Sequence, residues 1–428
     1  MHILLITQYW EPEQGVVQRR WQWISEALIE AGHELTVVCP PPHYPSGHLI
    51  SSEPRHQTGS IDQTSEGIRV YRTAFLGHGT SLVSRILDQG RIMLSQMWIA
   101  RRAARDAKKE GRPFSLVCCT IPALPSSIVA FTLSRILRKP LVVELRDAWP
   151  EILEYLDEWK DRPTQETATP RKLKVSALHF GLVQFGRILN FILKYSNTII
   201  TTTESLADLK RTQVRGSVFT VRNRPNIMKP ITLATDCRKD GPLRILYAGT
   251  VGRAQGMENA MRALQIAVNE GTEIEMRIIG DGAHLDRVQK IAKSEKLPVE
   301  FLGRIPFSEV GQHYQWADTV LVHLQSWKPM EYTIPSKLFE GMRAEKHITA
   351  ALAGEAANIV KQAQIGDVVQ PMNPQALARL WISLASNRQK LHVHGRGADW
   401  FEQDLGEDEL KKLWLRAAET ACRKPKRR

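Results

Sequence analysis

The stretch Tyr332-Thr-Ile-Pro-Ser-Lys-Leu-Phe-Glu340-Gly-Met342 carries the residue types best suited to holding a phosphorylated ligand. Pro335 and Ser336 stand where a helix should begin, directly after the apolar run Thr319-Val-Leu-Val-His-Leu324, which reads as a buried strand. A helix opening there leaves free N–H groups and a partial positive charge at its mouth, and Lys337 adds a full charge one residue in. Glu340 follows one turn later on the same face, where a carboxylate repels phosphate but accepts hydrogen bonds from sugar hydroxyls. The combination suits a ribose attached to a diphosphate. A capped helix with a surface Lys-Glu pair would be written with the same letters.

Four further places offer related chemistry. Leu243 to Ala248 reads as a strand that runs into Gly249-Thr250-Val251-Gly252-Arg253 and then a helix from about Met257 to Glu270. The small residues would let backbone N–H groups reach a phosphate, and Arg253 could bind it through two donors. The strand Glu275 to Ile279 ends in Gly280-Asp281-Gly282, another close turn at the same kind of position. Near the front of the chain, Pro140 to Leu145 reads as a strand ending in Arg146-Asp147, which makes Asp147 the candidate catalytic or sugar-contacting carboxylate; capping of the next helix by Asp147, paired with Arg146, is the structural alternative. Gly15 would let backbone approach a ligand after the first strand, with Arg19 and Arg20 in the first turns of the helix that follows; such an arginine pair is also an ordinary solvated face.

The elements that must position these residues alternate strand and helix. Ile3 to Thr7, a helix over Val17 to Ala31 that ends at Gly32, and His33 to Cys39 form a βαβ unit, which the right-handed crossover rule makes the start of a parallel sheet. Strands over 115–120, 140–145, 197–203 and 217–221 continue it, and a polar, proline-marked stretch from Asn223 to Gly241 reads as a linker before the second series. In a doubly wound α/β fold the loops at the carboxyl ends of the strands bind ligands, and every candidate above lies on such a loop. Residues 40–80, rich in Pro, His, Ser and Gly, read as one long loop. The helix over 82–109 carries Ile86, Ile92, Met93, Met97 and Trp98 with seven arginines and lysines. It suits an anionic membrane surface, or a core-facing helix with a solvated basic side. The helix over 173–194 fits a bilayer interface or packing between domains, and the tail Arg423 to Arg428 reads as a basic extension.

At 428 residues the chain is long for one core, and two similar halves are the simplest division. A formal net charge of +13 and a pI near 9.6 favour anionic partners. Nucleic acid is excluded as the expected partner because the cations lack an interleaved aromatic platform. Five cysteines without metal-type spacing read as reduced thiols, and the absence of a leader pattern or a long apolar run implies a cytoplasmic protein.

Taken in order, Gln8-Tyr-Trp-Glu-Pro-Glu13, Gln18-Arg-Arg20, Pro42-His-Tyr-Pro-Ser-Gly47, Arg146-Asp-Ala-Trp-Pro-Glu151, Tyr247 to Gly256, Gly280-Asp-Gly282 and Pro335 to Glu340 resemble the motifs of family 4 retaining glycosyltransferases, closest to the WbuB-like enzymes of bacterial surface-polysaccharide synthesis. The resemblance implies the GT-B fold, two Rossmann-like parallel-sheet domains facing across a cleft: an acceptor domain over residues 1–222, a nucleotide-sugar domain over 223–405, and a final segment, 406–428, whose helix returns to the first domain. It implies a retaining transfer from a nucleotide-diphosphate sugar, UDP-linked by preference, to a lipid-linked saccharide at the inner face of the cell membrane, where the protein would sit peripherally on the anionic surface. Arg253 and Lys337 would contact the diphosphate with Gly249, Thr250, Gly252, Gly280, Pro335 and Ser336 around it, Glu340 the ribose, and the loop of Arg304 and Ile305 the base. Gly15 belongs to the same donor set; Arg19, His43, Arg146 and Glu331 would contact acceptor or sugar. The sequence departs from the family where a Glu-x7-Glu pair is usual: Tyr332 stands eight before Glu340, with Glu331 beside it. With no Asp-x-Asp pair suitably placed, the expectation is no metal and no cofactor, with Asp147, Arg253 and Lys337 as the catalytic groups. A non-hydrolysing nucleotide-sugar epimerase and a non-catalytic nucleotide-sugar-binding subunit of a membrane assembly are the rival readings.

Overall fold

The computed structural model describes residues 1–13, 15–44, 46–79, 82–121, 124–155, 170–224, 240–393 and 395–423. Most of the linker expected over 223–241, the basic tail from 424 onward and residues 156–169 lie outside the described residues. The chain divides into two compact units, residues 1–222 with 407–428, and residues 223–406.

The first unit contains β1 (His2–Ile6), α1 (Val16–Glu30), β2 (Glu34–Cys39), β3 (Ile61–Gln63), β4 (Arg69–Arg72), α2 (Leu82–Lys109), β5 (Leu116–Ile121), α3 (Leu124–Leu137), β6 (Leu141–Leu145), α4 (Pro170–Lys194), β7 (Thr198–Thr201), α5 (Glu204–Gln213) and β8 (Ser217–Thr220). Its eight strands run in the order β3-β4-β2-β1-β5-β6-β7-β8, parallel throughout except for β3. Strands such as Ile-Leu-Leu-Ile in β1 and Leu-Val-Cys-Cys-Thr-Ile in β5 are buried along their length, as strands covered on both faces must be.

The second unit contains β9 (Leu243–Ala248), α6 (Met257–Asn269), β10 (Ile274–Ile279), α7 (Leu285–Ser294), β11 (Val299–Gly303), α8 (Phe307–Trp316), β12 (Thr319–His323), α9 (Ser336–Arg343), β13 (His347–Ala351), α10 (Gly354–Gln362), β14 (Gly366–Val369), α11 (Pro374–Ser386) and α12 (Ala398–Leu405). Its sheet is wholly parallel in the order β11-β10-β9-β12-β13-β14. This is the doubly wound Rossmann order, with the reversal between β9 and β12, so the loops after those two strands diverge and leave a crevice at their carboxyl ends.

One expectation about local structure is corrected. The stretch over 40–80 is not a continuous loop, because β4 pairs with β2 and carries β3 at its edge. Its four residues, Arg69-Val-Tyr-Arg72, escape a pattern reading because charges flank a two-residue apolar core; the buried Arg72 guanidinium is absorbed by the carbonyls of Pro40 and Glu11.

The last helix, α13 (Glu407–Cys422), belongs to the first unit and packs on α1, β7 and β8. Its Trp414, Ala417, Ala418 and Ala421 join Trp21, Ile24 and Leu28 of α1 in one core, where the Trp21 and Trp414 rings meet edge to face at 5.7 Å. Among the described residues no helix is long and apolar enough to cross a membrane. Trp414→Ala should cost the first unit about 3 to 5 kcal/mol; a urea midpoint equal to that of the unaltered protein would show that α13 does not close this core.

Candidate active site

Lys337 lies in the first turn of α9, at the reversal of the second sheet, and is only 7% exposed. Its space is made by Gly249, whose backbone lies beside it: a Cβ built on Gly249 would sit 3.1 Å from Lys337 Cε and 3.2 Å from Nζ. The ammonium rests 3.7 Å from the centre of the Tyr247 ring, and the Tyr247 hydroxyl donates to the Thr250 carbonyl at 2.5 Å. One tyrosine therefore carries the cation on its face and pins the loop after β9 with its tip. Burial pushes the Lys337 pKa down to about 7, while Glu340 acts in the opposite direction. Glu340 accepts a hydrogen bond from the Tyr314 hydroxyl at 3.1 Å through Oε2. Pro335 precedes α9 in extended conformation, and Ser336 opens it with its free N–H groups at this edge.

Arg253 starts a short 3-10 turn after β9 and is held from the side. Its Nε donates to His284 Nε2 at 3.2 Å, which places the ring proton on Nδ1, and Nδ1 donates to Glu258 at 2.7 Å. Glu258 on α6 and His284 before α7 thus fix the guanidinium through a chain of directed bonds. Neither residue was singled out by the sequence; the spacing between them exceeds any local pattern, and only the packing of α6 against α7 brings them together.

The expectation that the glycine amides face a ligand is corrected. Gly249 N–H donates to Ile279, Gly280 N–H to Gly303, and Gly252 N–H to the side chain of Gln255. These glycines serve close approach instead. Gly280 adopts φ +126°, and a Cβ there would fall 2.1 Å from the Gly249 carbonyl oxygen, so the ends of β9 and β10 meet backbone to backbone. Thr250 is exposed at the loop tip. Arg304 is exposed and pairs with Asp281 at 3.4 Å, with the half-buried Ile305 next to it. Glu331 pairs with Lys328 and lines a cavity of about 450 Å³ at the ends of β12, β13 and β14, together with Trp327, Gly354, Asn358 and Lys361.

In the first unit, Asp147 follows β6 and is half-buried, and burial raises its pKa against the pull of Arg146. Among the described residues no hydrogen bond reaches its carboxylate, and the short helix beginning at Glu151 is not capped by it, which removes the capping alternative. Arg146 is buried, and burial together with the neighbouring Arg20 lowers its pKa to about 10. Arg20 is not part of a solvated face: it is buried and ion-paired with Glu144 at 2.8 Å. Arg19 is half-exposed, and Gly15 precedes α1 in extended conformation.

His43 is buried after β2, with Nδ1 set 2.8 Å from the Pro41 carbonyl. A proton on Nδ1 leaves Nε2 as an acceptor. The His43 ring sits among Tyr9, Phe75 and His78. Glu13 builds this corner: its buried carboxylate accepts from the His43 and Tyr44 amides at 2.6 and 2.8 Å and from Gln18 at 2.6 Å. It thereby ties the loop after β1 to the loop after β2. Glu13 was visible in sequence only as an acid in a loop.

With this geometry in hand, comparison with known proteins is informative. Residues 15–223 match the family model for a glycosyl transferase 4-like domain, and residues 236–398 match that for glycosyl transferases group 1. A curated relative, "Probable glycosyltransferase WbjE" of Pseudomonas aeruginosa, is 35% identical over 137 residues, which is 31% of this chain and 34% of that protein. Among solved structures, HepE of Anabaena, in complex with UDP, aligns over 98% of this chain and 100% of its own with a TM-score of 0.63 and 13% identity. WaaG, a glycosyltransferase involved in lipopolysaccharide biosynthesis, aligns over 97% of this chain and 98% of its own with a TM-score of 0.60 and 14% identity. Both halves of the chain thus match glycosyltransferase domain families, and the chain shares the GT-B fold of these solved structures.

Proposed function

We propose that the protein moves a sugar from a UDP-sugar to a lipid-linked saccharide with retention of anomeric configuration, peripherally at the inner face of the cell membrane, in the synthesis of a cell-surface polysaccharide. The observation that carries this reading is Lys337, a cation buried against Gly249 and Tyr247 where the second sheet reverses. A desolvated ammonium beside a helix mouth is a site waiting for a polyanion. HepE, solved with UDP and with UDP-glucose, and WaaG, a glycosyltransferase involved in lipopolysaccharide biosynthesis, support the choice of donor and pathway.

In this mechanism the bond between the anomeric carbon and the diphosphate oxygen breaks as charge builds on the leaving group. Lys337, Arg253 and the N-terminus of α9 stabilise that charge in place of a metal ion, and because they are already fixed by Tyr247 and by His284 they need no rearrangement. Glu340 accepts from the ribose, and the Arg304-Ile305 loop borders the base. The acceptor hydroxyl attacks on the face the diphosphate leaves and gives its proton to the departing oxygen. Asp147 orients the reacting sugar, with His43, Arg146, Arg19 and Glu331 as further acceptor or sugar contacts.

Lys337→Met should lower kcat/KM by about 3 to 4 kcal/mol, two to three orders of magnitude, without affecting the fold. Transfer that stops in EDTA and returns with magnesium would overturn the metal-free assignment. Affinity for UDP-glucose, whose diphosphate does not titrate near neutrality, should fall as pH rises. Lys337 is charged below about 7 and neutral above it, so the loss approaches tenfold per unit on the alkaline side, and Lys337→Met should flatten the profile. Asp147→Asn should cut turnover at least tenfold with UDP binding intact; full activity would remove Asp147 from the mechanism. Donor consumption in the absence of any acceptor would favour the epimerase reading instead.

A further inference from the structure

Helix α2 is apolar on two sides. Its inward face buries Ile92, Ala100, Ala103 and Ala107 together with two polar side chains: Asp88 accepts from the Leu76 amide at 2.9 Å and Gln96 donates to the Thr7 carbonyl at 2.8 Å, while Ser95 accepts from the Ala74 amide at 2.7 Å. These side chains fasten α2 to the loops after β1 and β4. The outward face is apolar over its first half, with Val83, Ile86, Leu87, Leu94 and Trp98 all more than half exposed, Leu94 at 68% and Trp98 at 66%. At 100° per residue these five fall on one face, and Arg91, Arg101, Arg102, Arg105, Lys108 and Lys109, all exposed, continue the same stripe. The two acids of the helix are off it: Asp88 is buried, and Asp106 is half-buried beside the Tyr71 hydroxyl. The solvent side is therefore an apolar strip of about 22 Å that passes through a tryptophan into a cationic strip.

Scattered apolar residues on a surface need no explanation, but five aligned on one exposed face of a helix that already buries an apolar face of its own do. We infer that the outward face of α2 is a membrane-docking surface, on which Leu87, Leu94 and Trp98 enter the headgroup region of a bilayer while Arg101, Arg102 and Arg105 bind anionic lipid. Charge complementarity selects this occupant: the stripe carries five cations beyond Trp98, against which the flanking Asp106 sets one carboxylate, 3.9 Å from Arg102, and the tryptophan stands at the boundary where an interfacial aromatic belongs. Leu76, 63% exposed and bonded through its amide to Asp88, extends the apolar end toward the loops at the carboxyl edge of the first sheet, where His43 and Asp147 lie. The inference deepens the reading of a lipid-linked acceptor and rests on it for its biological sense, since such an acceptor would arrive at that edge from the bilayer.

The test uses the full chain and vesicles free of donor and acceptor, either phosphatidylcholine alone or with roughly a third phosphatidylglycerol. Cosedimentation should be at least tenfold stronger with the anionic vesicles. The triple substitution Arg101→Gln, Arg102→Gln, Arg105→Gln should weaken it about a hundredfold, at about fivefold per charge. The triple Leu87→Ser, Leu94→Ser, Trp98→Ser should weaken it at least tenfold. The urea midpoint of the first unit should be unchanged in both, which establishes that they fold, and UDP binding by calorimetry should be unchanged as well. Unaltered vesicle binding in either triple, or none in the parent protein, overturns the inference. So does a concentration-dependent dimer that the serine triple dissolves, which would assign the face to a second copy of the chain. The outcomes separate from those of the transfer reading: a chain that binds vesicles but never transfers sugar leaves this surface standing and removes the reaction, while transfer to a soluble acceptor without vesicle binding does the reverse.

Discussion

Taking an ammonium out of water is costly, and the second unit is organised around having done so. Lys337 keeps its place because Gly249 leaves room for the methylene chain, Tyr247 offers a ring face to the charge, and Glu340 stands one turn away on the same helix. Each of these partners comes from β9, its following loop, or α9, so the cation exists only where the strand order 3-2-1-4-5-6 brings β9 beside β12. None of them neutralises it fully. The remaining deficit is what a diphosphate would fill, and it gives the site an affinity that depends on topology as much as on residue type.

Arg253 illustrates a second way of holding a cation. It is less buried than Lys337 and is aimed rather than confined, by a histidine whose tautomer is set by Glu258. A side chain locked by its own supporting bonds reaches the transition state without reorganising, which is where most of the benefit of fixed charges lies. The first unit uses a comparable device: Glu13 binds two backbone amides and Gln18, and so settles two loops at one edge of the sheet.

What could be read from the chain in advance follows physical range. Parallel strands buried on both faces announce themselves as apolar runs, so the strands that carry the site, β1, β6, β9, β10 and β12, were legible, as was a helix starting at Ser336. Long-range pairings were not. Arg20 looked like half of a surface pair until Glu144 of β6 was found beside it, and Glu258 with His284 had no signature at all. The glycines after β9 and β10 were recognised as important for the wrong reason, since a sequence cannot tell an amide offered to a ligand from one already bonded to a neighbouring strand. Helix α2 was seen as amphipathic, but its inward side mixes Ile92 and three alanines with Asp88 and Gln96, polar residues whose partners are backbone groups of distant loops, and so leaves larger apolar residues outside.

The placement of α13 bears on how the molecule is made. Trp21 emerges from the ribosome before the second unit and Trp414 after it, yet the two share one core. During synthesis the first unit must wait, with the α1 side of its sheet uncovered, while the whole second unit is translated and folds on its own behind it. Nascent chains of this protein therefore expose a tryptophan-rich seam until α13 is made, and any truncation before Glu407 has two folded halves in prospect but only one that can be finished.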